Sequence, residues 1–201
     1  MLQVKKVVGS ILSSNMYILF EEGSSNCWIV DIGDFHALKE ALPKSIRIKG
    51  LFLTHGHFDH IADINLFHSQ YPESRIYVSE YGKEQLFSAK KNFSLYHERS
   101  TMFQGNENVI HLLMHDDEIE LYENCKLKVV ATPGHCPSCL TFYTADFIFT
   151  GDSYIPNAQI VTKLPKGNRQ LAEESLSIIY SLFQDRTICA GHDYDKWISM
   201  L

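Results

Sequence analysis

The chain has 201 residues, of which 45% are hydrophobic and 21% are charged, and this composition is typical of a folded protein rather than a disordered or fibrous one. Its 18 Lys and Arg residues are outnumbered by 24 Asp and Glu residues, and the net charge of −6 argues against non-specific attraction to nucleic-acid phosphates. Because we find no export signal and no apolar run of about 18 residues, we expect a cytoplasmic protein with neither a nucleic-acid nor a membrane partner.

The chain is predicted to be one domain, residues 1–201, because no linker rich in Pro, Ser or Gly divides it and about 200 residues can bury one large core. Its five cysteines are an odd number and indicate reduced thiols rather than a disulfide framework. The sequence contains no indication of the oligomeric state.

In the first half of the chain, short β-prone runs separated by turns that contain Gly and Ser predict a β-meander. The apolar run Leu51-Phe52-Leu53 indicates a buried strand that ends directly before a polar loop. The predicted strands of this half are residues 4–8, 16–20, 27–31, 46–53 and 75–78, and the predicted helices are residues 35–42, 61–71 and 81–88.

The second half begins with residues 89–108, which have no clear period and are predicted to form a connecting excursion or lid. Strands are predicted to resume at residues 118–121, 127–131, 140–144, 147–150 and 187–190. Before the last strand, Asn168 is predicted to cap a helix whose apolar stripe consists of Ala172, Leu176, Ile179 and Phe183. Two β-rich halves, each with helices, are therefore expected.

The motif THGHFDH at residues 54–60 places three imidazoles and a carboxylate directly after the buried strand: His55, His57, Asp59 and His60. Imidazole nitrogens and carboxylate oxygens are the usual ligands of zinc and similar divalent ions. Gly56 is expected to tolerate a strained backbone that turns these side chains toward one point. An exposed polar loop with incidental histidines is the alternative, but so dense a set of ligands favours a metal site.

Three further residues occupy comparable positions, namely His135, Asp152 and His192. Each follows a predicted strand and a glycine, which would permit a close approach of the backbone to an ion. Taken singly, each is typical of an ordinary turn. Their shared context favours a metal-binding role for all three.

The motif, its three downstream partners and Asp31 at the end of an early strand resemble the metallo-β-lactamase fold hydrolases along nearly the whole chain, in particular their small glyoxalase II-like members. The resemblance implies an α+β fold, a four-layer αββα sandwich in which two β-sheets pack face to face with helices outside. It also implies a metal site at one edge of the sheets.

The resemblance further implies two divalent metal ions. The first would be bound by His55, His57 and His135, and the second by Asp59, His60 and His192, with Asp152 bridging both. A hydroxide between the ions would be the nucleophile, and Asp59 and Asp152 are the residues implied in catalysis. The affinity order favours Zn²⁺, while Fe or Mn would also fit these ligands.

The implied activity is a metal-dependent hydrolysis of a small ester-like substrate, such as a thioester or a lactone. Residues 89–108 and 153–167 are expected to shape the pocket for this small-molecule substrate. Two alternatives stay open on the same fold: a mononuclear iron enzyme of the persulfide dioxygenase type, and a ligand sensor with low turnover.

The C-x-x-C motif formed by Cys136 and Cys139 directly follows His135. This spacing occurs in thioredoxin-like redox motifs and in structural zinc sites, but no second cysteine pair accompanies it. A structural loop is the favoured interpretation. The alternative is a thiol near the metals that can coordinate or oxidise, and a nucleophilic Cys139 is favoured less.

Three other residues have two interpretations each. Asp31 either accepts a hydrogen bond from a ligand histidine or caps the turn that follows it. His97 lies either at the surface, which is favoured, or against the substrate, and Tyr154 either packs or offers its hydroxyl to a substrate oxygen.

Overall fold

The computed structural model describes residues 1–98 and 100–193, and it contains two β-sheets flanked by helices. The strands are β1 (Leu2–Val8), β2 (Asn15–Glu21), β3 (Asn26–Val30), β4 (Arg47–Phe52), β5 (Arg75–Val78), β6 (Ile110–Leu112), β7 (Glu118–Tyr122), β8 (Cys125–Ala131), β9 (Leu140–Tyr143), β10 (Phe147–Gly151) and β11 (Thr187–Ala190). The first sheet has the order β1-β2-β3-β4-β5-β6 and the second has the order β11-β10-β9-β8-β7. The α-helices are α1 (Phe35–Ala41), α2 (Phe58–Ile61), α3 (Ile64–Gln70), α4 (Glu80–Leu86) and α5 (Arg169–Phe183).

Both sheets are mixed. In the first sheet, β1, β2 and β3 pair antiparallel, and β3 to β6 pair parallel. In the second sheet, β7 to β10 pair antiparallel, and β10 pairs parallel with β11. The predicted α+β class and the αββα sandwich are confirmed. None of the described helices is long and apolar enough to cross a membrane.

The apolar run at the end of β4 shows how the layers are held together. Side chains alternate between the two faces of a strand, so consecutive apolar residues enter different layers. Phe52 packs between the sheets with Phe142 and Phe149, whereas Leu51 and Leu53 pack in the layer between the first sheet and its helices. Each such side chain contributes roughly 1.5–3 kcal/mol when it is fully buried.

The predicted helix over residues 61–71 is two helices, and this prediction was wrong at their junction. Helix α2 already begins inside the metal-ligand motif, and α3 begins after Asp63. Asp63 Oδ2 accepts a hydrogen bond from the Phe35 N–H (2.9 Å), and the Asp63 N–H donates to the Ile32 carbonyl (3.2 Å). These contacts with a distant segment divert the backbone at Asp63 from a continuous helix.

Residues 89–98 and 100–108 contain short 3₁₀ turns, at Ser94–Tyr96 and within Glu107–Val109, in place of regular helix or strand. Asn92 is fully buried and holds this segment together. Its side-chain amide donates to the carbonyls of Gln85 (3.0 Å) and Thr101 (2.8 Å), and its Oδ1 accepts from the Ser94 N–H. A few buried side chains therefore fix the excursion, although most of its described residues are exposed. Strand β6, which was not predicted, follows it at the sheet edge.

Helix α5 begins as predicted, because the Asn168 side chain accepts a hydrogen bond from the Leu171 N–H (3.0 Å). Within the predicted stripe, Ala172 and Ile179 are buried, whereas Leu176 and Phe183 are half-buried.

Candidate metal centre

The ends of four strands bring the seven predicted ligands together. His55 follows β4, and the other residues of the motif lie in the loop and in α2, while His135, Asp152 and His192 follow β8, β10 and β11. All seven residues are buried, with exposed fractions of at most 5%. The two sheets therefore contribute to one group of side chains, although the ligands are separated by up to 137 positions in the chain.

The first group consists of His55, His57 and His135. One ring nitrogen of each lies within 4.8 Å of the others. His135 Nε2 is 2.8 Å from His57 Nδ1, and the buried Nε2 atom of His55 has no hydrogen-bond partner among the described residues. Three imidazole nitrogens thus converge on one point.

The second group consists of Asp59, His60 and His192. His192 Nε2 is 3.1 Å from Asp59 Oδ2, and His60 Nε2 is 3.4 Å from the same oxygen. The Nε2 atoms of the two histidines are 3.3 Å apart. This group therefore adds a carboxylate to two imidazoles.

Asp152 lies between the two groups. Its Oδ2 atom is 3.6 Å from His135 Nε2, whereas its Oδ1 atom is 3.5 Å from His60 Nε2 and 3.6 Å from His192 Nε2. Oδ1 is buried and has no hydrogen-bond partner within residues 1–98 and 100–193. The two oxygens of one carboxylate are thus directed to different groups.

Hydrogen bonds on the outer ring nitrogens orient three of the histidines. His135 Nδ1–H donates to the Val161 carbonyl (2.8 Å) and His192 Nδ1–H donates to the Leu12 carbonyl (3.0 Å). His60 Nδ1–H donates to the carboxylate of Asp31 (2.9 Å). Because these acceptors require the proton on Nδ1, the neutral form of each imidazole presents its Nε2 lone pair to the interior of the group.

Asp31 accepts a hydrogen bond from the candidate ligand His60, which agrees with the first of its two interpretations. Its carboxylate also accepts hydrogen bonds from the Thr54 N–H and hydroxyl, both at 2.8 Å. The nearby helix α1 is capped by Asp34 and not by Asp31, because the Asp34 side chain accepts a hydrogen bond from the Ala37 N–H. Asp31 has a φ of 60°, a backbone conformation that costs of order 1–3 kcal/mol outside glycine and often occurs at functional sites.

Burial and neighbouring charges separate the protonation states of these groups. Burial lowers the pKa of His55 well below its ordinary value, and neighbouring histidines lower it further. Burial also disfavours charge on His60, but the carboxylates of Asp59, Asp152 and Asp31 outweigh it and raise its pKa well above the ordinary value. Burial opposes ionisation of Asp152, yet the surrounding histidines hold its pKa well below the usual range. The Asp152 carboxylate is therefore held in its ionised form.

These residues fit a divalent ion. His55 Nε2 and Asp152 Oδ1 are buried acceptors without a hydrogen-bond partner, and leaving such an atom unpaired costs roughly 1–3 kcal/mol. Nitrogen and carboxylate donors suit zinc, iron and manganese. Cations at the first and second groups would satisfy His55 Nε2 and Asp152 Oδ1, respectively.

Gly56 and Gly191 are required for close packing. The backbone of Gly56 is not left-handed, so the expected strain at this position was wrong. A Cβ atom at Gly56 would lie 2.5 Å from Gln85 Cβ, and a Cβ atom at Gly191 would lie 2.2 Å from Asp152 Oδ1. Any larger residue would therefore displace a neighbour of the centre.

Two aromatic contacts join residues 89–98 to the motif, and the first of them involves Phe93, which was not among the predicted site residues. The Phe93 ring lies 4.9 Å from the His57 ring, and the exposed His97 ring stacks on Phe58 at 3.7 Å. No period marked Phe93 in the sequence, because its position depends on the buried Asn92.

Tyr154 packs against aromatic side chains of α5, which agrees with the first of its two interpretations.

The Cys136 and Cys139 side chains are buried beside this centre as free thiols. Their sulfur atoms are 3.2 Å apart, and Cys136 Sγ is 3.0 Å from the Ser138 hydroxyl. The metal-competent groups found among the described residues do not include either cysteine.

A model of the metallo-beta-lactamase superfamily matches residues 13–192 of the chain. This chain belongs to the metallo-beta-lactamase superfamily. Among its superfamily relatives, the hydroxyacylglutathione hydrolase of Buchnera aphidicola subsp. Baizongia pistaciae is 27% identical over 195 residues, which are 96% of this chain and 68% of that protein. The chain spans about two thirds of the length of the curated relatives that it matches. The predicted resemblance to glyoxalase II-like members is confirmed.

Solved structures with the same fold are similar to this chain. The structure of BLEG-1, a B3 metallo-beta-lactamase, is similar with a TM-score of 0.81 and 22% identity, and the match covers 94% of this chain and 91% of that one. The structure of ETHE1 from Myxococcus xanthus has a TM-score of 0.72 and 20% identity, with 96% and 76% covered. The metallo-β-lactamase fold predicted from the sequence is therefore confirmed.

Proposed function

We propose that this superfamily member is a hydrolase that uses two divalent metal ions to cleave a small ester-like substrate, such as a thioester or a lactone. The carboxylate of Asp152 carries this proposal, because its two oxygens are directed to two separate groups of ligands. The hydroxyacylglutathione hydrolase among the relatives supports a hydrolytic reaction. We propose a cytoplasmic enzyme of one domain, residues 1–201.

In this proposal the first ion is held by His55, His57 and His135. The second ion is held by the group of Asp59, His60 and His192, and Asp152 bridges both. Zn²⁺ is our proposed metal, since it binds such sites more tightly than iron or manganese. Two bound divalent ions would make water acidic enough to be a nucleophile near neutral pH and would polarise the substrate oxygen.

The chain's own residues supply orientation and charge. Although burial opposes its ionisation, Asp59 has a lowered pKa because of its histidine neighbours, so it is an ionised acceptor that can orient the attacking water. Asp31 keeps the proton of His60 on Nδ1 and leaves the inner nitrogen free for coordination. Phe93 places an apolar ring beside His57, where it can exclude water from one side of the substrate.

The test is elemental analysis of protein purified without added metal, followed by reconstitution with zinc, iron or manganese. The reconstituted protein is then assayed on thioesters, lactones and phosphodiesters. We expect two equivalents of metal per chain and turnover of an ester-like substrate. A single equivalent of iron together with oxygen consumption on a persulfide would instead support the dioxygenase, and saturable ligand binding without turnover would support a sensor.

A further inference from the structure

Cys136 and Cys139 are arranged so that they can react with each other. Their sulfur atoms are 3.2 Å apart in a four-residue loop, and each is a free thiol. A disulfide needs the sulfurs to approach to about 2.05 Å, so an approach of roughly 1 Å would suffice. Neither thiol has a role in the proposed hydrolysis.

Burial restricts which oxidant can reach this pair. Cys136 is 1% exposed and Cys139 is 2% exposed, so a bulky reagent such as glutathione disulfide cannot contact either sulfur in the folded protein. Hydrogen peroxide is close to water in size, and it can enter where large disulfides cannot. The site therefore fits a small hydroperoxide.

The thiol pair is also connected to the candidate metal centre. Cys136 directly follows His135, and the Ser138 hydroxyl between the two cysteines accepts a hydrogen bond from the Gly56 N–H (3.3 Å). Gly56 lies between His55 and His57. A change in the loop of residues 136–139 therefore acts on the backbone of all three members of the first group.

From these contacts we infer that Cys136 and Cys139 form a site of reversible oxidation by hydrogen peroxide, whose disulfide weakens metal binding by His55, His57 and His135. The Cys136 sulfur attacks one peroxide oxygen, which stays on the sulfur as a sulfenic acid, while the O–O bond breaks and the other oxygen leaves with the thiol proton as water. The Cys139 sulfur then forms the S–S bond and displaces a second water. The two thiols lose two electrons and two protons, and the peroxide takes up both.

The oxidation is tested on the zinc-loaded protein by treatment with hydrogen peroxide, alkylation after denaturation, and mass spectrometry of peptides. We expect the peptide with residues 136–139 to become lighter by two hydrogen atoms, to resist alkylation, and to recover with dithiothreitol. In the Cys139→Ser variant, we expect a sulfenic acid on Cys136 that dimedone traps. Glutathione disulfide should leave the pair reduced.

Other cysteines of the chain are internal controls. Cys27 and Cys189 lie in strands, and burial raises the pKa of each to about 12, so we expect both to remain thiols. Cys125 is half-buried, so its oxidation shows that the oxidant was active. Oxidation of Cys125 without a disulfide between Cys136 and Cys139 would overturn the inference, and so would equal oxidation by glutathione disulfide.

The link to the metal rests on the proposed function and has its own measurement. We expect zinc affinity of the oxidised protein, measured by competition with a chelator, to fall by about 10- to 100-fold and to recover on reduction. The Cys136→Ser, Cys139→Ser double variant should keep its affinity in peroxide. Unchanged affinity in a disulfide-containing protein would refute the link, whereas failure of the reduced protein to bind zinc would refute the proposed function and leave the peptide result standing.

Discussion

The two groups of candidate ligands differ in charge and in what holds them. The first group consists of three imidazoles, and the outer nitrogen of His135 donates to a loop carbonyl, that of Val161. The second group contains the Asp59 carboxylate, and the outer nitrogen of His60 donates to the Asp31 carboxylate. A carboxylate acceptor makes an imidazole a more basic ligand. We therefore expect the second group to depend on charge and the first to depend on how its loops pack.

The largest effect should come from the residue that the two groups share. Asp152→Asn removes the charge without changing the shape of the side chain, and we expect metal content to fall to one ion or none and hydrolysis to fall by several orders of magnitude. Asp146→Asn, at the exposed opposite end of β10, is the matched control. Elemental analysis and steady-state rates measure both variants, and unchanged metal and rate in Asp152→Asn would contradict the bridging role.

The next largest effect should distinguish the two groups of candidate ligands. Asp31→Asn weakens the acceptor of the His60 N–H, so we expect affinity for one of the two ions to fall by about 10- to 100-fold while the other ion is retained. Stepwise titration with a chelator measures the two affinities separately. Equal weakening of both ions would show that the two groups do not act independently.

On the side of the first group, Phe93→Ala removes the ring beside His57. We expect kcat/KM to fall by about tenfold, chiefly through KM, because an apolar contact with the substrate is lost while the ligands remain. Leu95→Ala, an exposed residue of the same segment, is the control. A loss of metal in Phe93→Ala would assign the ring to support of His57 instead.

A smaller effect should leave both groups intact. Asp34 caps α1, so Asp34→Ala should lower the free energy of unfolding by about 1 kcal/mol without changing metal content. Burial opposes the ionisation of Asp34, but hydrogen bonds from Ala37 and Ser10 lower its pKa in the folded protein. Its contribution to stability is therefore present above the pKa of the unfolded chain and is lost as the pH falls through the folded value. Denaturant unfolding at several pH values checks both statements.

The smallest effect is expected for the thiols under reducing conditions. The Cys136→Ser, Cys139→Ser double variant replaces two small side chains that do not belong to either ligand group. We expect its steady-state rate with a reductant present to stay within about threefold of the original rate, because serine is close to cysteine in size and all seven candidate ligands remain. A collapse of activity would assign the thiols a catalytic role.

The sequence by itself determined the ligand types, the strand ends that carry them and the family. These features are local, because His55 to His60 are neighbours in the chain and the apolar run before them requires a buried strand. Tertiary structure decided how the ligands are oriented and which residues surround them. Asp31 reaches His60 across 29 positions, Val161 reaches His135 from a loop, and Asp63 ends a helix through contacts with a distant segment. Such contacts depend on the packing of segments that are far apart in the chain, and no periodicity within either segment encodes them.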